Sequence, residues 1–287
     1  MKTSKLPLSV TLKFFLLLLV AFGILPSLNA KDKKAPPADG DPYKVRVDAD
    51  WWYDNPSVSI TGNGTVNEQP IDFKKTFGFN SISTYDIQAD WHFTRRQHFL
   101  FIVTQYSESK SKTLAGDVTF RGVTYTGGTT ANANLKAQTF APGYEFDLIR
   151  NERGHLGIVG QFNLEDISAK INGQGFIVDS EGNQVNGTYA TSGSVLAPIP
   201  VFGPEGKYLF IKGSNKYYVD GFVKGMYFFG YGNFVSTRGT VGANVWKGLD
   251  VVGGYQMGSR LAVHGTSSRL DVRFTQQGPI LGVAYKW

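Results

Sequence analysis

The chain has 287 residues, 34 of them glycine, with 14% aromatics, no cysteine and a net charge of +6. The lack of cysteine excludes disulfides, thiolate metal sites and a lipidated cysteine anchor. Abundant glycine and aromatics with modest hydrophobicity suit many strands and turns better than helices.

Lys2 and Lys5 precede an apolar run from Phe14 to Leu25, followed by Pro26, Ser27 and Leu28-Asn29-Ala30. This is the three-part layout of a secretory signal. The run is bounded by Lys13 and is shorter than the roughly 20 apolar residues of a helical membrane anchor. Residues 1–30 are therefore expected to be a cleaved signal peptide. Residues 31–42 (KDKKAPPADGDP) are charged and proline-rich and read as a flexible periplasmic linker. Loss of Lys2, Lys5 and Lys13 lowers the net charge from +6 to +3. That charge is too weak and too evenly spread to predict a nucleic-acid partner.

From residue 43 onward the pattern has a period of two. Val45, Val47, Ala49, Trp51 and Tyr53 alternate with Arg46, Asp48, Asp50 and Trp52. Similar alternation runs through 81–93, 156–165, 217–229, 238–245 and 249–261. Successive side chains of a strand point to opposite faces, so each segment has one apolar and one polar side. The apolar sides hold few charges over the 9–11 or so residues that a tilted membrane strand needs.

Connections alternate in length. Arg95–His98, Asn151–Gly154, Lys212–Lys216 and Lys247–Leu249 are short, whereas Thr61–Asn80 and Asn172–Thr188 are long. Ser107–Asn134 is expected to hold a strand pair rising past the membrane around Gly127-Gly128, and shorter outer connections fall near Asn233–Ser236 and Val263–Ser268. Short turns on one side and long loops on the other match the two ends of a bacterial membrane barrel. The expected fold is all-β: a closed, antiparallel, up-and-down transmembrane β-barrel over 43–287 with about ten strands, eight and twelve being the alternatives. Closure is required because every backbone polar group in hydrocarbon must be paired internally. Prolines in Ala197–Gly206 predict a bulge or kink there. Leu270, Val272 and Phe274 have the opposite parity to Leu281–Trp287, which predicts a bulge near Gln276–Pro279. Trp91, Phe93, Trp246, Tyr285 and Trp287 lie near short turns or the final residue, where an interfacial aromatic girdle belongs.

The last six residues, Gly282-Val283-Ala284-Tyr285-Lys286-Trp287, resemble the terminal signal of Gram-negative outer-membrane barrels: a glycine, two residues, an aromatic, one residue and a final aromatic. Trp287 stands where that signal usually has Phe, and Ile280 where it usually has a polar residue. The strand layout is similar to the small-barrel class that includes OmpW-like and OmpX-like proteins. The resemblance implies outer-membrane localisation and recognition of Gly282, Tyr285 and Trp287 by the barrel assembly machinery. It also implies contact with outer-membrane lipid and lipopolysaccharide.

Chemistry in such a barrel would sit on the inward face. Parity places Arg46, Asp48, Asp50, Asp86, Asp90, Glu145, Asp147, Glu165, Asp220, Lys224, Arg238, Asp250 and Arg260 there, with Lys286 and His92 nearby. A mixed-charge lumen can pass small polar solutes, or it can be filled by its own ion pairs. The expected role is structural or passive passage, in a monomer without cofactor or metal. Two other classes compete. A surface adhesin would act through polar outer loops. A hydrolase would need a histidine–acid pair at the extracellular mouth. Only His264 is expected near an outer loop, with Thr266, Ser267 and Ser268 beside it, an arrangement like that of lipid A esterases. No orienting acid beyond Asp271 accompanies it, so no enzyme activity is expected.

Overall fold

The computed structural model describes residues 43–62, 68–228, 232–263 and 270–287. The expected signal peptide (1–30), the linker (31–42) and His264 lie outside the described residues. In chain order the elements are β1 (Val45–Asp54), β2 (Ser57–Thr61), β3 (Ile71–Asp72), α1 (Phe73–Phe77), β4 (Ile82–Thr94), β5 (Gln97–Thr113), β6 (Val118–Phe120), β7 (Val123–Tyr125), β8 (Thr130–Asn151), β9 (Gly154–Val178), β10 (Gln184–Ile211), β11 (Ser214–Phe228), β12 (Gly232–Trp246), β13 (Leu249–Val263), β14 (Asp271–Thr275) and β15 (Gln277–Lys286).

Ten of these strands close into an antiparallel barrel in the order β1-β4-β5-β8-β9-β10-β11-β12-β13-β15, with β15 pairing back onto β1. The seam runs from Arg46↔Lys286 to Trp52↔Ile280. At its foot Lys44 N and Val45 N donate to Trp287 O, and Trp287 N returns a bond to Val45 O. Closure gives each of the ten strands a partner on both sides.

Four connections on one end are tight turns between paired strands. In the Lys247–Gly248 turn the glycine takes φ 84°, a left-handed conformation without Cβ penalty. The ladder shifts by one residue beside it, between Asn244 and Trp246, as expected where a bulge adapts strand twist to a two-residue turn.

A single row of paired residues marks where the apolar exterior ends, which we take as the membrane boundary. Outward-facing Val103, Phe140, Leu164 and Pro198 are successive partners across β5, β8, β9 and β10. Two residues further out the outward row is Gln105, Gln138, Asp166 and Leu196, of which only the last is apolar. Below the boundary the exterior is apolar, ending in an aromatic girdle at the tight turns. Phe93 stacks on Phe99 at 4.7 Å, Trp91 lies 5.9 Å from Phe99, and Tyr285 lies 5.4 Å from Trp287.

The interior inverts at the same level. Along β9, Gln161, Asn163 and Glu165 face inward within the membrane, whereas Ile167, Ala169 and Ile171 continue the same parity above it and are buried. The row Tyr106, Ala137, Ile167 and Val195 is buried and, apart from the Tyr106 hydroxyl, apolar. Above the membrane the strands therefore enclose an ordinary apolar core, with polar side chains outside.

That core is completed by inward-folded connections. In α1 the Asp72 carboxylate caps Lys75 N at 3.0 Å and Gly78 ends the helix at φ 81°. The i,i+4 pair Phe73 and Phe77 then points to one side, where both are buried with Phe79. Val58, Ile60, Leu114, Phe120, Tyr125, Leu270, Val272 and Phe274 join the same cluster.

Four expectations need correction. Asn172–Thr188 is not a loop: β9 and β10 stay paired out to Val178↔Gln184. Asn233–Ser236 is not a connection but part of β12. Ala197–Gly206 carries no kink, since β10 pairs with β9 in one register from Gln184 to Tyr208. Leu209 N donates to Arg153 O on the β9 side, so odd positions of β10 bond to β9. Pro198, Pro200 and Pro204 are even and face β11, where their positions have no ladder partner among the described residues. Finally, β14 and β15 keep one parity, with the even side chains from Leu270 to Lys286 buried. Leu270, Val272 and Phe274 fill the apolar core rather than facing outward. The ladder shift lies on β13, which spends four residues between Met257↔Gln277 and Leu261↔Phe274 where the opposite side spends three.

Candidate functional site

The lumen is built by the inward parity of the ten strands. Arg46, Asp48, Asp50, Asp86, Glu145, Asp147, Glu165, Lys224, Arg238 and Asp250 are buried inside it, and Asp90 and Asp220 are partly buried there. The side chain of Arg260 lies outside the described residues.

Charge is matched locally. Arg46 contacts Asp48 at 2.5 Å and Asp220 at 3.6 Å. Arg238 lies 2.6 Å from Asp50, which faces Asp86 across the β1–β4 ladder. Lys286 pairs with Asp250 at 2.7 Å, and Tyr218 Oη donates to the same carboxylate at 2.7 Å. Lys224 pairs with Glu205 at 2.8 Å, Thr240 donates to Asp220, and Lys207 Nζ sits 3.9 Å above the Tyr218 ring. Buried charges persist only when paired and hydrogen-bonded, and this lattice meets that condition for most of its members.

A second group occupies the turn end of the lumen. His92 Nε2 is 3.1 Å from Asp90 Oδ2, and His98 Nε2 is 3.2 Å from Asp147 Oδ2. Arg150 holds the same Asp147 oxygen at 2.7 Å. Glu145 lies between His98 and His155, at 4.0 and 3.9 Å. Toward the opposite end the lining is richer in hydrogen-bonded side chains. Thr139 donates to Glu165 at 2.6 Å, Gln161 to Asn163 at 2.7 Å and Gln276 to Asp54 at 2.6 Å. Above these the apolar core begins.

Two cavities of about 60 Å³ each lie in the polar part, one bordered by Asp90, Glu145 and Lys207 and the other by Asp86, Glu165 and Gln276. Each has room for a handful of waters.

Parity found the inward acids and bases but missed several partners. Glu205 and Lys207 fall in or beside the stretch expected to bulge, so their facing was not read. His98 and His155 sit at or beside the short connections Arg95–His98 and Asn151–Gly154, where alternation gives no facing. Their convergence with Glu145 is set by cross-strand register, as in His92↔His98 and His98↔Glu145.

No family model and no curated protein sequence matches the chain. Solved structures do. The outer membrane protease OmpT from Escherichia coli superposes with a TM-score of 0.55 over 90% of this chain and 100% of its own, at 12% identity. The chain has the fold of a small outer-membrane β-barrel. The toluene transporter TodX of Pseudomonas putida matches at TM-score 0.37 and 8% identity, over 86% of this chain and 90% of its own. The attachment invasion locus protein Ail of Yersinia pestis matches at TM-score 0.36 and 9% identity, over 85% and 99%. At such identities the likeness to OmpT concerns the fold alone.

Proposed function

We propose that this protein is a closed, non-conducting barrel with a structural role in the Gram-negative outer membrane, a monomer that anchors an extracellular β-domain. One observation carries the reading: the lumen is filled in two storeys, an ion-paired lattice within the membrane and an apolar core above it. A narrow barrel is readily filled by its own side chains. A conduit for polar solutes would need a continuous wet path, and the apolar storey opposes one. No catalytic role is assigned either. The histidine–acid pairs among the described residues lie at the tight-turn end, away from the mouth where an external substrate would arrive. The test is single-channel recording of the folded protein in planar bilayers. The reading expects no conductance steps at any voltage; reproducible steps would restore passive passage.

A second reading, surface interaction, rests on the upper edge of β10. Above Phe202 it has no strand partner on the β11 side among the described residues. From Gln184 to Leu196 this edge carries neither charge nor proline, the usual guards of an exposed edge. An extended segment of a partner could add there. Deleting 172–188 should abolish surface binding while the barrel still folds; retained binding would remove this reading.

A further inference from the structure

We propose that the turn end of the lumen is a divalent transition-metal site, with His92 Nε2, His98 Nδ1 and the carboxylates of Asp90 and Glu145 as ligands. The four residues come from three neighbouring strands. His92 on β4 is opposite His98 on β5, and His98 is opposite Glu145 on β8. Asp90 shares the inward parity of His92, two residues away. The ligating atoms of Asp90, His92 and His98 all lie within 4.8 Å of one another. Asp90 Oδ2 is 3.1 Å from His92 Nε2, Asp90 Oδ1 is 3.4 Å from His98 Nδ1, and Glu145 Oε2 is 4.0 Å from that nitrogen. Tetrahedral zinc with bonds of about 2.0–2.1 Å separates its ligands by roughly 3.3 Å, so small side-chain rotations suffice.

Two further features point to a cation. First, His98 Nδ1 and Asp90 Oδ1 are buried 3.4 Å apart without a hydrogen bond of good geometry, and His98 is 0% exposed. Unsatisfied buried polar atoms are costly, and two side by side call for a ligand. Second, the outer support of a metal-binding histidine is present. The far nitrogen of His98, Nε2, lies 3.2 Å from Asp147, which Arg150 clamps at 2.7 Å. A ligating histidine normally donates its other N–H to a carboxylate, which fixes the tautomer and turns the free lone pair toward the metal. Tyr43 Oη donates to Asp90 Oδ2 at 2.5 Å and its ring lies 4.2 Å from that of His92, fixing both. The adjoining cavity touches Asp90 and Glu145 and gives the ion an approach from the lumen. Two imidazoles and two carboxylates, with no sulfur, suit Zn²⁺ or another late first-row dication rather than Mg²⁺ or Ca²⁺. Such an ion would strap β4, β5 and β8 together.

The test uses tag-free protein folded in detergent and titrated with Co²⁺ alone. One equivalent should produce the ligand-field absorption of a low-coordinate cobalt centre, which Zn²⁺ then bleaches. His98→Gln and His92→Gln should each lose the spectrum while keeping the gel mobility of a folded barrel. Asp147→Asn should weaken binding by about 10–100-fold, through orientation of His98. Wild-type protein without the spectrum overturns the proposal. So does a spectrum that persists unchanged in both folded histidine variants.

Discussion

Gly282 of β15 lies directly opposite Asp50 of β1, and a Cβ at residue 282 would collide with the Asp50 carboxylate. Asp50 cannot yield easily, because it is buried and ion-paired with Arg238 at 2.6 Å. The glycine of the terminal motif therefore has a packing role at the barrel seam. Gly282→Ala is expected to destabilise the barrel by about 1–3 kcal/mol, the usual range for overpacking. The check is refolding into pure lipid vesicles, where no assembly machinery exists. Normal refolding there would assign Gly282 to recognition alone.

Arg238 is the cation against which Asp50 and Asp86 are both set, and the two acids face each other across β1 and β4. Arg238→Met should leave buried negative charge uncompensated and cost about 3–5 kcal/mol. Adding Asp50→Asn to that background should recover part of the loss, because residues in one ion-pair network are not additive. Urea unfolding followed by gel mobility reads both. Equal stability of the single and double variants would show that the lattice is not coupled at this point.

Much of this lumen was legible in the alternation of residues 45–54, 81–93 and 249–257, because lipid forces one apolar face per strand. The same logic failed above the membrane. There water lies outside and the core inside, so the apolar parity of β14 is inward, and Leu270, Val272 and Phe274 read as lipid-facing only if the membrane is assumed to continue. The length of β9 and β10 was hidden for the same reason. Polar residues from Asn172 to Thr188 resemble a loop, but they form a hairpin with solvent on the outer face. The histidine cluster escaped notice because His92, His98 and Glu145 are joined by register across three strands, and register is not a local property of sequence.

Asp179 organises the tip of that hairpin. Its carboxylate accepts from Glu181 N at 3.0 Å and from Asn183 N at 2.8 Å, and Gly182 takes φ 86° between them. These backbone donors, Asn183 N foremost, hold the Asp179 carboxyl below the usual carboxylate range. A carboxyl with a lowered folded pKa stabilises its turn above the unfolded value of about 3.9, and the contribution fades as pH falls through the folded value. The amides of Glu181 and Asn183 should therefore lose hydrogen-exchange protection on acidification, beyond the intrinsic pH dependence of exchange. Asp179→Ala should remove that added protection at neutral pH. Protection that is independent of both pH and Asp179 would count against the carboxylate as the organiser.

The extracellular core should be separable from the membrane barrel. Phe73 is 0% exposed and packs against Phe77 and Phe79, with ring centroids 5.3 and 5.6 Å apart. Phe73→Ala is expected to cost about 3–5 kcal/mol, through lost burial and the cavity left behind. None of that cost falls on the ion-paired storey, whose side chains lie below the boundary row from Val103 to Pro198. External protease should then cleave the connections above the membrane while the remaining barrel keeps its heat-dependent gel mobility. Bilayer recordings of the same variant should still show no conductance, because the lattice around Arg46, Arg238 and Lys224 remains in place. Simultaneous loss of protease resistance and gel mobility would show instead that core and barrel unfold as one unit.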